Sequence, residues 1–338
     1  MKKNLQNALL LAMGLMTTVT FAQDWNVDSR TRIDMSGDND KMVTNQRATL
    51  GATWGGSDWG LHVSSDVNYM LGGAAASMGI YEAYASADLM GYATVTAGRQ
   101  AINHEGHSGA LMSGNDWGAT RTTWDGMTFK LTAIDMADVS LGYASYNGGA
   151  ADEEDQGNMW VNAGGEFSGW NVNMLYMTNT ASDNAATGID ISGEVMGAGI
   201  SASMNTDYDE NTMRVIGLSY AVNDDMSVNV GQTVYGEDGA FSMAGTNLAG
   251  GWANGNMGYL GAGDEMLSYG LTYNMAGISM GATMNAVTSL DESTRDVMEV
   301  SLGYSLNDNA GLAVKYATDA SGEDDAVKYT WLTLTVTP

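Results

Sequence analysis

The sequence predicts an all-β fold: a transmembrane antiparallel β-barrel of about 18 strands, within a range of roughly 16 to 18. Three observations lead there. Apolar and polar residues alternate with period two from Trp25 to the end of the chain. The connections between alternating segments are tight and long in turn. After the N-terminal segment, no apolar run approaches the roughly 18 residues that a membrane helix requires.

The N-terminal residues are read as an export signal, residues 1–22, with the barrel occupying 23–338. Lys2 and Lys3 form a positive start, Ala8 to Phe21 is mostly apolar, and Thr20 and Ala22 form a small-residue cleavage site ahead of Gln23. Alternation then begins at once. Trp25, Val27, Ser29, Thr31 and Ile33 share one parity, and Asn26, Asp28, Arg30, Arg32 and Asp34 the other. Ala48, Leu50, Ala52 and Trp54 oppose Arg47, Thr49, Gly51 and Thr53. Leu61, Val63, Val67 and Tyr69 oppose His62, Ser64, Asp66 and Asn68. Near the C-terminus, Ile278, Met280, Ala282 and Met284 oppose Ser279, Gly281, Thr283 and Asn285, and Met298, Val300, Leu302 and Tyr304 oppose Glu299, Ser301 and Gly303.

Tight connections fall at Gly55-Gly56-Ser57, Met90-Gly91, Phe167-Ser168-Gly169, Met196-Gly197, Asn223-Asp224-Asp225, Ala276-Gly277 and Asn307-Asp308-Asn309. The longer set is acidic and includes Asp38 to Lys41, Gly72 to Gly79, Asn103 to Ala119, Asn147 to Gln156 and Tyr235 to Glu265. Short turns at one rim and long loops at the other are how such barrels are built. A β-sandwich also alternates, but it rarely strings so many hairpins together and needs larger apolar residues on its inner face. Here one face carries Met, Ala, Val, Leu and Tyr and the other Ser, Thr, Asn and Gly, as lipid outside and water inside would require. Trp25, Trp54, Trp59, Tyr92, Trp170 and Tyr304 lie near segment ends, where aromatic girdles belong.

Composition narrows the function. Without Lys2 and Lys3, 11 of the 13 basic residues remain against 40 acidic ones, a net charge of −29. That excludes nucleic acid as a partner, since phosphate binding wants a basic face. There is no cysteine, and the one proline is the last residue. No cofactor is implied. No metal site is expected: His104-Glu105-Gly106-His107 lacks the i, i+4 histidine spacing of zinc proteases, and the acidic clusters lack EF-hand spacing. No nucleophile elbow or phosphate loop is present, so the chain is not read as an enzyme.

The charged positions that matter are those of lumenal parity. Arg30, Arg32 and Arg47 fall there in the first two segments, and Lys315 and Lys328 are assigned to it in the last two. Barrel closure sets the last strand beside the first, so these five should line one wall, with Asp66 and Glu82 nearby.

The most specific block is Ala97-Gly98-Arg99-Gln100, then a loop from Asn103, then Arg121-Thr122-Thr123-Trp124-Asp125-Gly126. It resembles the outer-membrane porin superfamily, and within it the alginate-export type of barrel. There a Gly-Arg-Gln closes one strand and an Arg-x-x-aromatic-Asp-Gly opens the next. The resemblance implies a third surface loop that folds inward as a constriction, with Glu105 and Asp116 on it, and adds Arg99 and Arg121 to the pore lining. Both arginines fall in phase with apolar neighbours, so placing them inward requires a bulge near Gly98 or Gly126. The expected function is a passive outer-membrane channel for small hydrophilic solutes, with anionic sugars or oligosaccharides as candidates. Outer-membrane lipid of a Gram-negative bacterium surrounds it, and the protein is a monomer or a trimer. The alternative is a barrel whose acidic surface loops serve adhesion or cation-dependent surface packing.

Overall fold

A computed structural model describes residues 23–337, apart from 37–41, 74, 105–110, 113–120, 135–136, 148–156, 181–182, 242–259 and 323–324. The chain forms one 18-stranded antiparallel sheet that closes on itself, every strand pairing with its sequence neighbours and β1 pairing with β18. The first six strands are β1 (Gln23–Asp34), β2 (Val43–Gly55), β3 (Trp59–Met70), β4 (Ala76–Asp88), β5 (Ala93–Gln100) and β6 (Thr123–Leu131). Then come β7 (Asp138–Asn147), β8 (Gly157–Phe167), β9 (Trp170–Asn179), β10 (Ala185–Val195), β11 (Ala198–Thr206) and β12 (Thr212–Ala221). The last six are β13 (Met226–Tyr235), β14 (Glu265–Met275), β15 (Ile278–Thr288), β16 (Thr294–Asn307), β17 (Ala310–Ser321) and β18 (Val327–Val336). Closure gives every strand a partner on both sides, so no strand is a free edge along its whole length.

Short connections gather at one rim. Met90-Gly91, Ser168-Gly169, Met196-Gly197 and Ala276-Gly277 have positive φ at both residues, as type I′ hairpin turns require, and their twist matches that of the flanking strands. One short connection carries no turn signal in the sequence: residues 132–137 join β6 to β7. The loop after β3 is shorter than expected, because β4 already starts at Ala76.

The two faces follow the alternation. Leu50, Leu61, Tyr69, Met127, Met159 and Tyr176 stand exposed on the outside, and Trp25, Trp59, Tyr92 and Tyr304 ring the turn rim. The other face is the lumen, because only there do residues of distant strands touch. Trp124 of β6, Leu175 and Met177 of β9, Met213 of β12, Tyr235 of β13 and Val287 of β15 form one buried cluster. Ile102, Leu111 and Met112, from the connection between β5 and β6, are buried in that cluster, as are Phe241 and Leu260 from the connection between β13 and β14. The described residues of the third long connection, Ile102, Leu111 and Met112, thus lie on the lumen side. The lumen is not uniformly small and polar, however: its loop-side half along β6 to β15 is packed with large apolar side chains.

Candidate functional site

The charged wall lies across the closure seam, on β16 to β18 and β1 to β4. Arg30 and Arg47 are directly opposite in the β1–β2 ladder, and Arg32 is the next lumenal position along β1. Lys315 faces the lumen beside Trp331 and Ser301, and its ammonium meets Glu299 at 2.8 Å. Four residues along the same two strands, β16 and β17, Arg295 clasps Asp319 through two nitrogens, at 2.8 and 2.7 Å. Sequence reasoning missed Arg295 and its partner, although both share the parity of Glu299 and Lys315. The wall thus carries both signs in adjacent pairs.

Arg121 follows the third loop and reaches across to β2 and β3. Its Nη2 donates to Asp66 at 2.5 Å and to Thr49 at 2.8 Å, and its Nε donates to Asp66 at 3.1 Å. Thr49 also donates to Asp66, at 2.8 Å. The guanidinium lies 3.4 Å from the centre of the Tyr81 ring, a cation–π contact. Tyr81 reaches this position through a bulge: Ser64 pairs with Glu82 while Ser65 pairs with Ile80, leaving Tyr81 as the extra residue. The bulge falls in β4, not at Gly98 or Gly126.

Glu82 holds the other end of the loop, its Oε1 accepting from the Ala101 amide at 2.9 Å. It lies 3.7 Å from His62, whose ring stacks on Tyr84 and whose Nδ1 is 2.8 Å from the Thr53 hydroxyl. Glu82 and Asp66 thus anchor the loop's two ends to the charged wall. Within the apolar half, His104 sits edge-on to Trp160 with ring centroids 4.9 Å apart, and burial pushes its imidazole down to about 4, so it is neutral at pH 7. From the far side, the Tyr208 hydroxyl between β11 and β12 donates to Asn158 at 2.8 Å. Burial raises the pKa of that phenol, keeping it a donor.

Two expected pore residues face outward. Arg99 pairs with Asp125 across β5 and β6, in phase with Ala97 and the exposed Met127. Its Nε and Nη2 meet the Asp125 carboxylate at 2.8 Å each, forming a bidentate clasp on the outer wall. The Gly-Arg-Gln and Asp-Gly blocks build this clasp. Gln100 and Trp124 point into the lumen beneath it, and a side chain on Gly98 or Gly126 would collide with the backbone of the adjacent strand. Lys328 pairs with Thr318 and follows the outward parity of Leu332 and Leu334, while Tyr329 and Trp331 take the lumenal positions. Glu105 and Asp116 lie outside the described residues. Among the described residues, no group of three or more His, Cys, Asp or Glu side chains could hold a metal ion.

This barrel is similar to that of OpdK from Pseudomonas aeruginosa. With that structure, determined with vanillate, the TM-score is 0.77 at 12% identity, covering 94% of this chain and 98% of the other. Similar values hold for OccK9 (OpdG) from the same organism, with a TM-score of 0.77, 14% identity, and 94% and 98% covered. OccK11 (OpdR), also from P. aeruginosa, has a TM-score of 0.74 at 13% identity, with 93% and 95% covered. At such identities the likeness is one of fold. No family model matches the chain, and no curated protein matches it by sequence.

Proposed function

We infer that this protein is a passive outer-membrane channel for small hydrophilic solutes in a Gram-negative bacterium, exported by residues 1–22 and matured near Gln23. One observation carries the reading: a closed barrel with an apolar outer face holds a charged wall on one side of its lumen and an inward-turned loop packed on the other. A solute path between them runs along Arg30, Arg32, Arg47, the Arg121–Asp66 pair and the Lys315–Glu299 pair. The barrel of the outer-membrane protein OpdK supports the location, and its structure with vanillate, a carboxylate, supports an anionic group on the solute. The likeness to alginate-export barrels rests on residues 97–127 alone. Since Arg99 is on the outside and Arg121 is held by a carboxylate, that block gives no support to a polyanion as the solute.

The test is planar-bilayer conductance of the refolded mature chain. Stepwise currents above the lipid background are expected. Correctly folded protein that passes no current overturns the channel reading and favours a surface-adhesion barrel.

A further inference from the structure

The chain leaving β5 is held by a carboxylate that has a histidine beside it. Glu82 of β4 uses one oxygen, Oε1, to accept from the amide of Ala101, the first residue after β5, at 2.9 Å. Its other oxygen, Oε2, faces Nε2 of His62 on β3 at 3.7 Å, too long for a hydrogen bond. His62 is only 6% exposed, and its Nε2 has no hydrogen-bond partner. The rest of the ring is fixed. Its Nδ1 lies 2.8 Å from the Thr53 hydroxyl on β2, and its face stacks on Tyr84 of β4 with centroids 5.1 Å apart. Tyr84 is directly opposite His62 in the ladder and Glu82 is opposite Ser64, so His62 and Glu82 are diagonal neighbours.

A neutral imidazole has one N–H and one bare nitrogen. Here one nitrogen meets Thr53, and the other is buried beside a carboxylate that it does not reach. The imidazolium donates from both nitrogens. Its Nδ1–H serves Thr53, and its Nε2–H reaches Glu82 once the gap closes by about 0.9 Å to the length of a charge-assisted bond. The polar atoms of this cluster are therefore all satisfied only when His62 is protonated. The surroundings favour that charge. The His62 row runs from Asp24 of β1 through Thr53 to Tyr84 and Gly98 of β5, and the adjacent row through Asn26, Gly51, Ser64 and Glu82. Neither row holds Lys or Arg from β1 to β5. Along β3, Gly60 and Ser64 flank the histidine, and the next carboxylate, Asp66, is bound by Arg121.

We propose that Glu82 is a positioning residue for the segment 101–104 and that His62 makes its hold depend on protons. Histidine changes charge between about pH 5 and pH 8. As pH falls through that range, the imidazolium binds Oε2 and fixes the carboxylate on Ala101; as pH rises, that second bond is lost and the Ala101 contact stands alone. The segment matters because it bridges the two halves of the lumen: Ile102 is buried in the apolar cluster, and His104 sits edge-on to Trp160. The width of the path beside the charged wall depends on where it lies. This step rests on the channel reading above.

The test uses the refolded full barrel. Hydrogen exchange of the Ala101 amide, corrected for its intrinsic pH dependence, should slow about tenfold from about pH 8 to about pH 5, the factor that one charge-assisted hydrogen bond supplies. Open-pore current noise in planar bilayers should fall over the same range. His62→Gln and Glu82→Gln should each abolish both changes, and Glu82→Gln keeps an acceptor for the Ala101 amide, so the barrel folds. His104→Gln should retain both, because burial keeps that imidazole neutral there. With ring-labelled histidine, the His62 resonance should titrate at a lower pH in Glu82→Gln than in the parent. Protection of Ala101 that does not change with pH overturns the proposal, as does a change that survives both His62→Gln and Glu82→Gln, or a His62 titration indifferent to Glu82→Gln. If no current passes at any pH while Ala101 protection follows His62, the latch is upheld and the channel reading fails.

Discussion

Replacing Arg121 by alanine tests the strap across the lumen. The Arg121 and Asp66 side chains are only 10% and 9% exposed, so solvent screening is weak. Opposite charges about 4 Å apart at an effective dielectric constant of about 20 attract by roughly 4 kcal/mol. Removing one member of a buried pair typically costs about 3–5 kcal/mol, because the survivor stays desolvated. Asp66 keeps the hydrogen bond from Thr49, which returns about 1 kcal/mol. Arg121→Ala should therefore destabilise the fold by about 3 kcal/mol. Asp66→Asn should cost less, since the guanidinium keeps Thr49 and the Tyr81 ring. The assay is urea unfolding of the barrel refolded in lipid vesicles, run as a double-mutant cycle with Asp66→Asn, alongside proteolysis of the connection between β5 and β6. A coupling energy of about 2 kcal/mol and faster cleavage in Arg121→Ala are expected. Coupling below about 0.5 kcal/mol would mean that the two groups do not act as a unit, and the strap would have to be given up.

Other outcomes follow from the same geometry. Arg30→Ser, Arg32→Ser and Arg47→Ser together should move the reversal potential of a salt gradient toward cation preference. The shift should be larger near 0.01 M salt, where the Debye length is about 30 Å, than near 1 M, where it is about 3 Å. An unchanged potential at every salt concentration removes these arginines from the ion path. His104 has a folded pKa of about 4 against a reference of 6.5, so the unfolded chain binds more protons between those values and stability falls as pH drops from about 6.5 to 4. The loss is at most about 3 kcal/mol, and His104→Gln should flatten that part of the stability–pH curve. Gly126→Ala should cost about 1–3 kcal/mol, because a β-carbon there meets the backbone of Tyr143 and Ala144. Gly79→Ala, with open space around it, should be nearly silent in the same unfolding assay.

Strand rhythm made the barrel legible, because each outward residue must satisfy lipid and each inward one must not. The apolar half of the lumen was hidden for the same reason. In β9, Met174, Leu175, Tyr176 and Met177 are apolar on both parities, so nothing in the sequence separates lipid-facing Tyr176 from core-facing Leu175. Arg99 was legible: Ala93, Val95 and Ala97 put it outside, and only the resemblance drew it inward. Lys328 was misplaced because Tyr329 and Trp331 look like lipid-facing aromatics, yet they stack in the lumen with ring centroids 5.5 Å apart. The Tyr81 bulge leaves no local mark, since it is fixed by a cation arriving from a loop forty residues later in the chain.

The Gly-Arg-Gln block joins these features causally. Gly98 lets β5 approach the β4 backbone, and Gly126 lets β6 approach the β7 backbone, more closely than any side chain would permit. β5 then stops at Gln100, far below the loop end of β4, and the chain is sent inward. There Ile102, Leu111 and Met112 find the apolar lining of β6 to β15, while Ala101 and Arg121 are tied to Glu82 and Asp66 on the opposite wall. Among the described residues, β4 has no β5 partner above Ala83, and Arg99 there donates to the Ile80 carbonyl while it holds Asp125. Narrowing the lumen and shortening the β4–β5 ladder are one structural event. A substitution that restores a longer β5 should therefore widen the pore and extend the β4–β5 ladder above Ala83 together.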